Sequence, residues 1–210
     1  MTVIIAIDGP AAAGKGTLAR RLAAALDLPY LDTGLLYRAV GRRVLDAGAD
    51  PADPVAAEAA ARLLRPADLA RADLRGPAAD HAASHVASAP GVRAALLAFQ
   101  RRFAADRGAV LDGRDIGTVI FPDAAVKLFV TASVEARAGR RWREMQGADL
   151  ATVTADLRAR DELDRARAAA PLRPASDAVV LDTTDLDPDA AFARAMDMVN
   201  EALARAQKQK

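Results

Sequence analysis

The chain has 210 residues, of which 52% are hydrophobic and only 4% aromatic, with a net charge of +1 and no cysteine. That length suits one α/β domain with insertions, the near-neutral charge advertises no nucleic acid, and the missing cysteines exclude disulfides and thiolate metal sites. No apolar run is long enough for a membrane span and no basic segment precedes the first one, so a soluble cytoplasmic protein is the expectation.

An apolar run from Val3 to Ile7 ends at Asp8, a loop follows to Gly16, and Leu18, Leu22 and Leu26 then recur at helical spacing. The order is strand, glycine-bearing loop, helix, the context in which G-x-x-x-x-G-K is a phosphate site. The stretch reads Asp8-Gly9-Pro10-Ala11-Ala12-Ala13-Gly14-Lys15-Gly16-Thr17. Gly9 and Gly14 let backbone N–H groups converge on an anion, and the helix from Lys15 aims its positive end at the same place. Lys15 adds a charge that can reach β- and γ-phosphates, and Thr17 a hydroxyl near a metal. The Gly-Lys-Gly-Thr variant is similar to nucleoside monophosphate kinases rather than GTPases. A glycine-rich turn with a surface lysine is the alternative. Residues 14–19 also fit G-x-G-x-x-A, but inside the helix start, too late for a dinucleotide site.

Residues 29–32 read as a second strand. Thr33-Gly34 opens a helix with Leu36, Tyr37, Val40 and Val44 on one side. Thr33 and Arg38 form a second anion candidate, or an N-cap and a solvated arginine. The Pro/Asp/Gly-rich 49–54 is a linker, residues 55–64 a short helix, and 65–80 irregular. Helical signals return from 80 to 103, interrupted at Pro90-Gly91. This block breaks the βα rhythm and reads as an inserted lobe. His81 and His85, four apart, could bind zinc, but no third ligand is evident and two partly exposed histidines is the better reading.

A third strand, 109–112, ends in Asp112, suited to a Mg²⁺-water ligand. Arg114 and Asp115 follow, holding something polar or pairing with each other. A fourth strand spans 125–130. The helix after Ser133 carries Arg137, Arg140, Arg141 and Arg143. Beyond a break at Gly147, a further helix runs into Arg158, Arg160, Asp161, Asp164, Arg165 and Arg167. Arg160, Asp164 and Arg167 share one helical face, as a solvated ion-pair ladder or a lid closing on phosphates. Strand five at 178–181 and a closing amphipathic helix at 190–206 complete an α/β pattern with a parallel sheet.

The motifs fall at strand carboxyl ends, and the chain offers no Ser-His-Asp order and no cysteine nucleophile. Where the acceptor is itself a phosphate, no general base is needed, and catalysis reduces to positioning and charge neutralisation.

Five motifs in order give the chain a resemblance to the bacterial cytidylate kinases: 7–17; Leu31-Asp32-Thr33-Gly34-Leu35-Leu36-Tyr37-Arg38; 83–87 with Pro90, Val92 and Arg93; 112–122; and 160–167 with 170–172. The resemblance implies a P-loop NTPase-type five-stranded parallel sheet flanked by helices. Its core would be 1–48, 106–146 and 175–210, with an NMP-binding insertion at 49–105 and an arginine-rich lid at 147–174. It implies transfer of the γ-phosphate of ATP to CMP or dCMP by a monomer with Mg²⁺, held by Thr17 and, through water, Asp112. ATP would sit on residues 8–17 with Arg137, Arg140 and Arg141 facing it from the lid. Arg38, Arg114 and Arg167, helped by Thr33, would hold the CMP phosphate. Ser84, Arg93 and Asp115 would read cytosine, and Arg160 and Asp164 would contact the sugar. Lys15, Arg114, Arg160 and Arg167 form the implied catalytic set. The family's lobe carries a small antiparallel sheet, for which 68–77 is too short; Asp73-Leu74-Arg75 is its expected remnant. Leu163 stands where many relatives are polar. Rival readings are another small P-loop kinase acting on AMP, UMP or a small metabolite, against which Ser84, Arg93 and Asp115 discriminate, and a GTPase-like switch. The switch's guanine-reading Asn-Lys-x-Asp cannot exist, since Asn200 is the only asparagine. A nucleic-acid module using the arginine clusters would need stacking aromatics that the chain lacks.

Overall fold

A computed structural model of the chain describes residues 2–145, 147–168 and 170–208. The chain divides into two compact units, Met1–Leu31 with Ala104–Lys210, and Asp32–Phe103.

The first unit is built on a sheet of β1 (Val3–Asp8), β2 (Tyr30–Asp32), β3 (Gly108–Gly113), β4 (Val126–Thr131) and β5 (Val179–Asp182), in the order β2-β3-β1-β4-β5. β1 pairs in parallel with β3 and β4, and β4 with β5. A strand covered on both faces needs an unbroken apolar run, and Ile5, Ala6 and Ile7 are fully buried. The register sets Asp8 opposite Gly113 and Phe129, so the carboxyl ends of the central strands come level. Ligands bind at that end, where the strand order reverses direction.

α1 (Lys15–Ala25) and α8 (Pro188–Lys208) supply Leu18, Leu22 and Val199 to the core around Ile5, Ile7, Val110 and Leu128. α6 (Val134–Glu144) and α7 (Leu150–Ala166) pack through Ala138, Val153 and Leu157. Ser133 and Asp149 cap these two helices, accepting from Ala136 and Thr152 amides at 3.1 and 2.9 Å. A five-residue π-turn, Ile116–Ile120, which has no periodic signature, follows β3. Among the described residues no helix is long and apolar enough to cross a membrane.

The second unit is helical: α2 (Thr33–Asp46), α3 (Pro54–Arg62), α4 (Pro77–Val86) and α5 (Pro90–Phe103), with 3₁₀ turns at Pro66–Ala70 and Ala72–Leu74. It begins at Asp32 rather than at residue 49, because α2 packs on α4. Gly41 allows this: a Cβ there would lie 2.8 Å from the Ala82 methyl. The expected sheet remnant is not a strand. Asp73 and Leu74 belong to a 3₁₀ turn anchored by the buried Leu74, with Asp73 paired to Arg71 and Arg42.

Candidate active site

β1 delivers its last residue, Asp8, directly into the loop. Gly9 adopts φ 146°, and a Cβ on it would fall 1.9 Å from the Val130 carbonyl oxygen, so any side chain would push the loop off β4. Gly14, at φ 87°, starts α1 with no side-chain cap and no acid in the first turn. The first amides of that helix are therefore left for an anion. Lys15 folds over the loop and donates to the Pro10 carbonyl at 2.6 Å, with only 6% of its surface exposed. Burial, reinforced by nearby Arg114, lowers its pKa to about 7.

Two residues support the loop from outside. Arg137 donates to the Ala11 carbonyl at 3.2 Å, and the Thr183 hydroxyl lies 3.2 Å from the Ala13 carbonyl. Thr183, on the turn after β5, carried no recognisable pattern in the sequence. Asp112 accepts from the Tyr30 hydroxyl at 2.8 Å through Oδ1. Its Oδ2 would stand 3.8 Å from a Cβ on Gly16, so that oxygen faces the start of α1. A carboxylate oxygen beside α1, with the exposed Thr17 next along the helix, is a hard-oxygen donor set that fits Mg²⁺, an ion that takes few protein ligands.

Beyond the loop lies an arginine cluster. Asp164, 1% exposed, accepts from Arg114 Nε at 2.7 Å and from Arg167 at 2.5 Å. Burial alone would raise its pKa, but Arg114 and Arg167 more than offset that and hold the carboxyl below its ordinary value. Arg160 adds to the same field, and Arg114 and Arg160 both reach Lys15 electrostatically. Arg114, Arg160 and Arg167 thus gather around the Asp164 carboxylate. Asp115 is buried at the head of the π-turn.

Several expected ATP contacts have other partners. The Asp8 carboxylate turns away from the loop and accepts from the Ile116 and Gly117 amides, both at 2.8 Å. Burial raises its pKa to about 6. Arg137 is buried and forms a two-bond pair with Asp161 at 3.1 and 2.7 Å, and it also donates to Ala132. Arg140 donates to the Thr183 hydroxyl at 3.1 Å and to the Thr183 carbonyl. Arg141 lies 3.4 Å from Glu144. A helical face predicts which arginines stand together, not which acceptor each one meets.

In the second unit, Thr33 is buried at the start of α2. Arg38 Nε donates to Asp80 at 2.9 Å, and Ser84 Oγ donates to the Asp80 carbonyl at 3.0 Å. Asp80 thus joins two expected acceptor residues, a role its sequence position did not signal. Arg93 lies 3.4 Å from the Tyr37 hydroxyl and 6.0 Å from its ring centre. His81 and His85 bring ring nitrogens within 3.3 Å of each other. Among the described residues no group of three histidines or acids could hold a metal.

A family model described as cytidylate kinase matches residues 5–201. A cytidylate kinase of Acidiphilium cryptum is 65% identical over 207 residues, covering 97% of this chain and 98% of the relative. That of Paramagnetospirillum magneticum is 66% identical, covering 95% and 98%. That of Granulibacter bethesdensis is 64% identical, covering 95% and 97%. Among solved structures, an uncharacterized protein from Eubacterium ventriosum superposes with a TM-score of 0.56 at 14% identity, covering 94% of this chain and 98% of its own, which is a likeness of fold.

Proposed function

The chain belongs to the cytidylate kinase family, and from that premise and its site we infer that it transfers the γ-phosphate of ATP to CMP or dCMP, giving ADP and CDP or dCDP. The observation that carries the chemistry is Lys15, seated on an uncapped helix start beside Arg114 and Arg160. Donor phosphates are assigned to the amides of residues 9–17 and to Lys15. The acceptor phosphate oxygen bonds to the γ-phosphorus as the bond to the β,γ-bridging oxygen breaks. No carbon-bound hydroxyl needs deprotonating, so the site requires cations rather than a base. Arg114, Arg160 and Arg167 supply them, and Asp164 fixes the Arg114 and Arg167 guanidiniums so that little reorganisation is left for the reaction.

Thr17 and Asp112 would hold Mg²⁺, which when bound neutralises charge on the phosphates. In the first unit Asp115 is assigned to the cytosine, and Asp164 with Arg160 to the sugar. In the second unit Arg38 and Thr33 are assigned to the acceptor phosphate, and Ser84 and Arg93 to the base. With soluble nucleotides as substrates, the enzyme is assigned to the cytoplasm.

The test is ADP release from ATP and Mg²⁺ with CMP, dCMP, UMP or AMP offered singly. Turnover is expected with CMP and dCMP. ATP binding with turnover on AMP alone would overturn the acceptor assignment.

A further inference from the structure

We propose that Asp8 is a positioning residue for the acceptor side of the site: from the end of β1 its carboxylate caps the π-turn Ile116–Ile120 and so fixes where Arg114 and Asp115 are presented. The proposal rests on the assignment of those two residues to CMP. Asp115 occupies the capping position of the turn, with φ −144°, yet its side chain makes no cap. The opening amides of a buried turn need acceptors. Asp8 supplies both, at 2.8 Å each, to residues more than a hundred positions away in the chain. An asparagine could accept from only one amide and would set its own NH₂ against the other.

Gly117 is the complementary half of this seat. A Cβ on it would stand 3.1 Å from Lys127 Cδ and 3.4 Å from Asp8 Oδ2, so the turn fits between a side chain of β1 and one of β4. Ile116 and Ile120 are buried beneath it, and the Asp115 carbonyl accepts from Val119 and Ile120 at 2.9 and 3.2 Å. Directly after Asp8 the chain becomes the phosphate loop. A single side chain therefore ties the donor-binding strand to the segment that carries Arg114 and Asp115. Burial raises this carboxyl's pKa to about 6, while the bonds from the Gly117 and Ile116 amides favour its charged form.

The experiment measures KM for CMP and for ATP, kcat, and amide hydrogen exchange in Asp8→Asn and Gly117→Ala, with Asp115→Ala as control. Asp8→Asn is expected to raise KM for CMP about tenfold or more, to leave KM for ATP within about threefold, and to speed exchange at Ile116 and Gly117. Gly117→Ala crowds the same turn against Lys127 while keeping the Asp8 side chain itself, and should show the same split to a smaller degree. Equal rises in both KM values, or a fall in kcat alone, overturn the proposal. So does an unchanged KM for CMP in both variants while Asp115→Ala raises it. If Asp115→Ala itself leaves KM for CMP unchanged, the CMP assignment has failed; exchange at Ile116 and Gly117 then decides the capping role, and unaltered exchange in Asp8→Asn rejects it.

Discussion

Lys15 carries two obligations that conflict, and the conflict can be measured. Its ammonium must meet phosphates, yet in the free enzyme it is buried, with burial first and Arg114 second lowering its pKa from near 10.5 to about 7. The unfolded chain therefore binds more protons than the folded one between those values. Stability must rise with pH across that window, by up to about 1.4 kcal/mol per pH unit from this residue. Lys15→Met removes the buried charge and keeps most of the volume. The variant should lose turnover by about a hundredfold or more while melting above the wild type near pH 7. Its advantage should shrink as pH rises towards 10. Melting curves from pH 6 to 9.5 read the gap, and parallel curves would refute a buried lysine as its source. Lys15, Gly9 and Gly14 were all legible in the sequence because strand, loop and helix lie consecutively. The fate of Asp8 was not, because its partners are set by a parallel register between β1 and β3, which no local pattern encodes.

Between elements, the decisive link is the pair Arg137–Asp161, each 2% exposed, which joins α6 to α7 while Arg137 also holds the loop carbonyl of Ala11. The two helices themselves were expected, one after Ser133 and one beyond the break at Gly147. The cross-helix pairing was not, since the two residues lie 24 positions apart and six other arginines occupy α6 and α7. The π-turn was unreadable for a related reason: five residues offer no period to detect. Removing one member of a buried pair strands the other's charge, at a cost of about 3–5 kcal/mol. Asp161→Asn is thus expected to lower the melting temperature by roughly 10 °C in a chain of this size and to raise KM for ATP. Replacing both partners, as Arg137→Met with Asp161→Leu, should restore much of the stability because no unpaired charge remains. KM for ATP should stay raised, since the Ala11 carbonyl has lost its donor. Recovery of both quantities together would mean that Arg137 has no part in shaping the loop.

At the scale of the whole molecule, the strand order places β1 in the middle of the sheet, so the loop after it belongs wholly to the first unit. Thr33, Arg38, Ser84 and Arg93, by contrast, lie in the helical second unit. That division was only half visible in the sequence. The break in βα rhythm revealed the inserted helices, but α2 reads as the ordinary crossover helix after β2, and only its packing on α4 through Gly41 and Ala82 moves it to the second unit. Each nucleotide should therefore leave a distinct footprint in amide exchange. ATP with Mg²⁺ should slow exchange in residues 9–18, whose amides open α1 without a side-chain cap. CMP alone should slow exchange near Ser84 and in the first turn of α5, which carries Arg93. At a ligand concentration of about 100 times Kd, binding stabilises the bound form by about 2.7 kcal/mol, enough to slow exchange by opening roughly a hundredfold. CMP protection confined to the first unit would strip Ser84 and Arg93 of their base-reading assignment. Protection at Ser84 and in the first turn of α5 would instead support their assignment to the acceptor base.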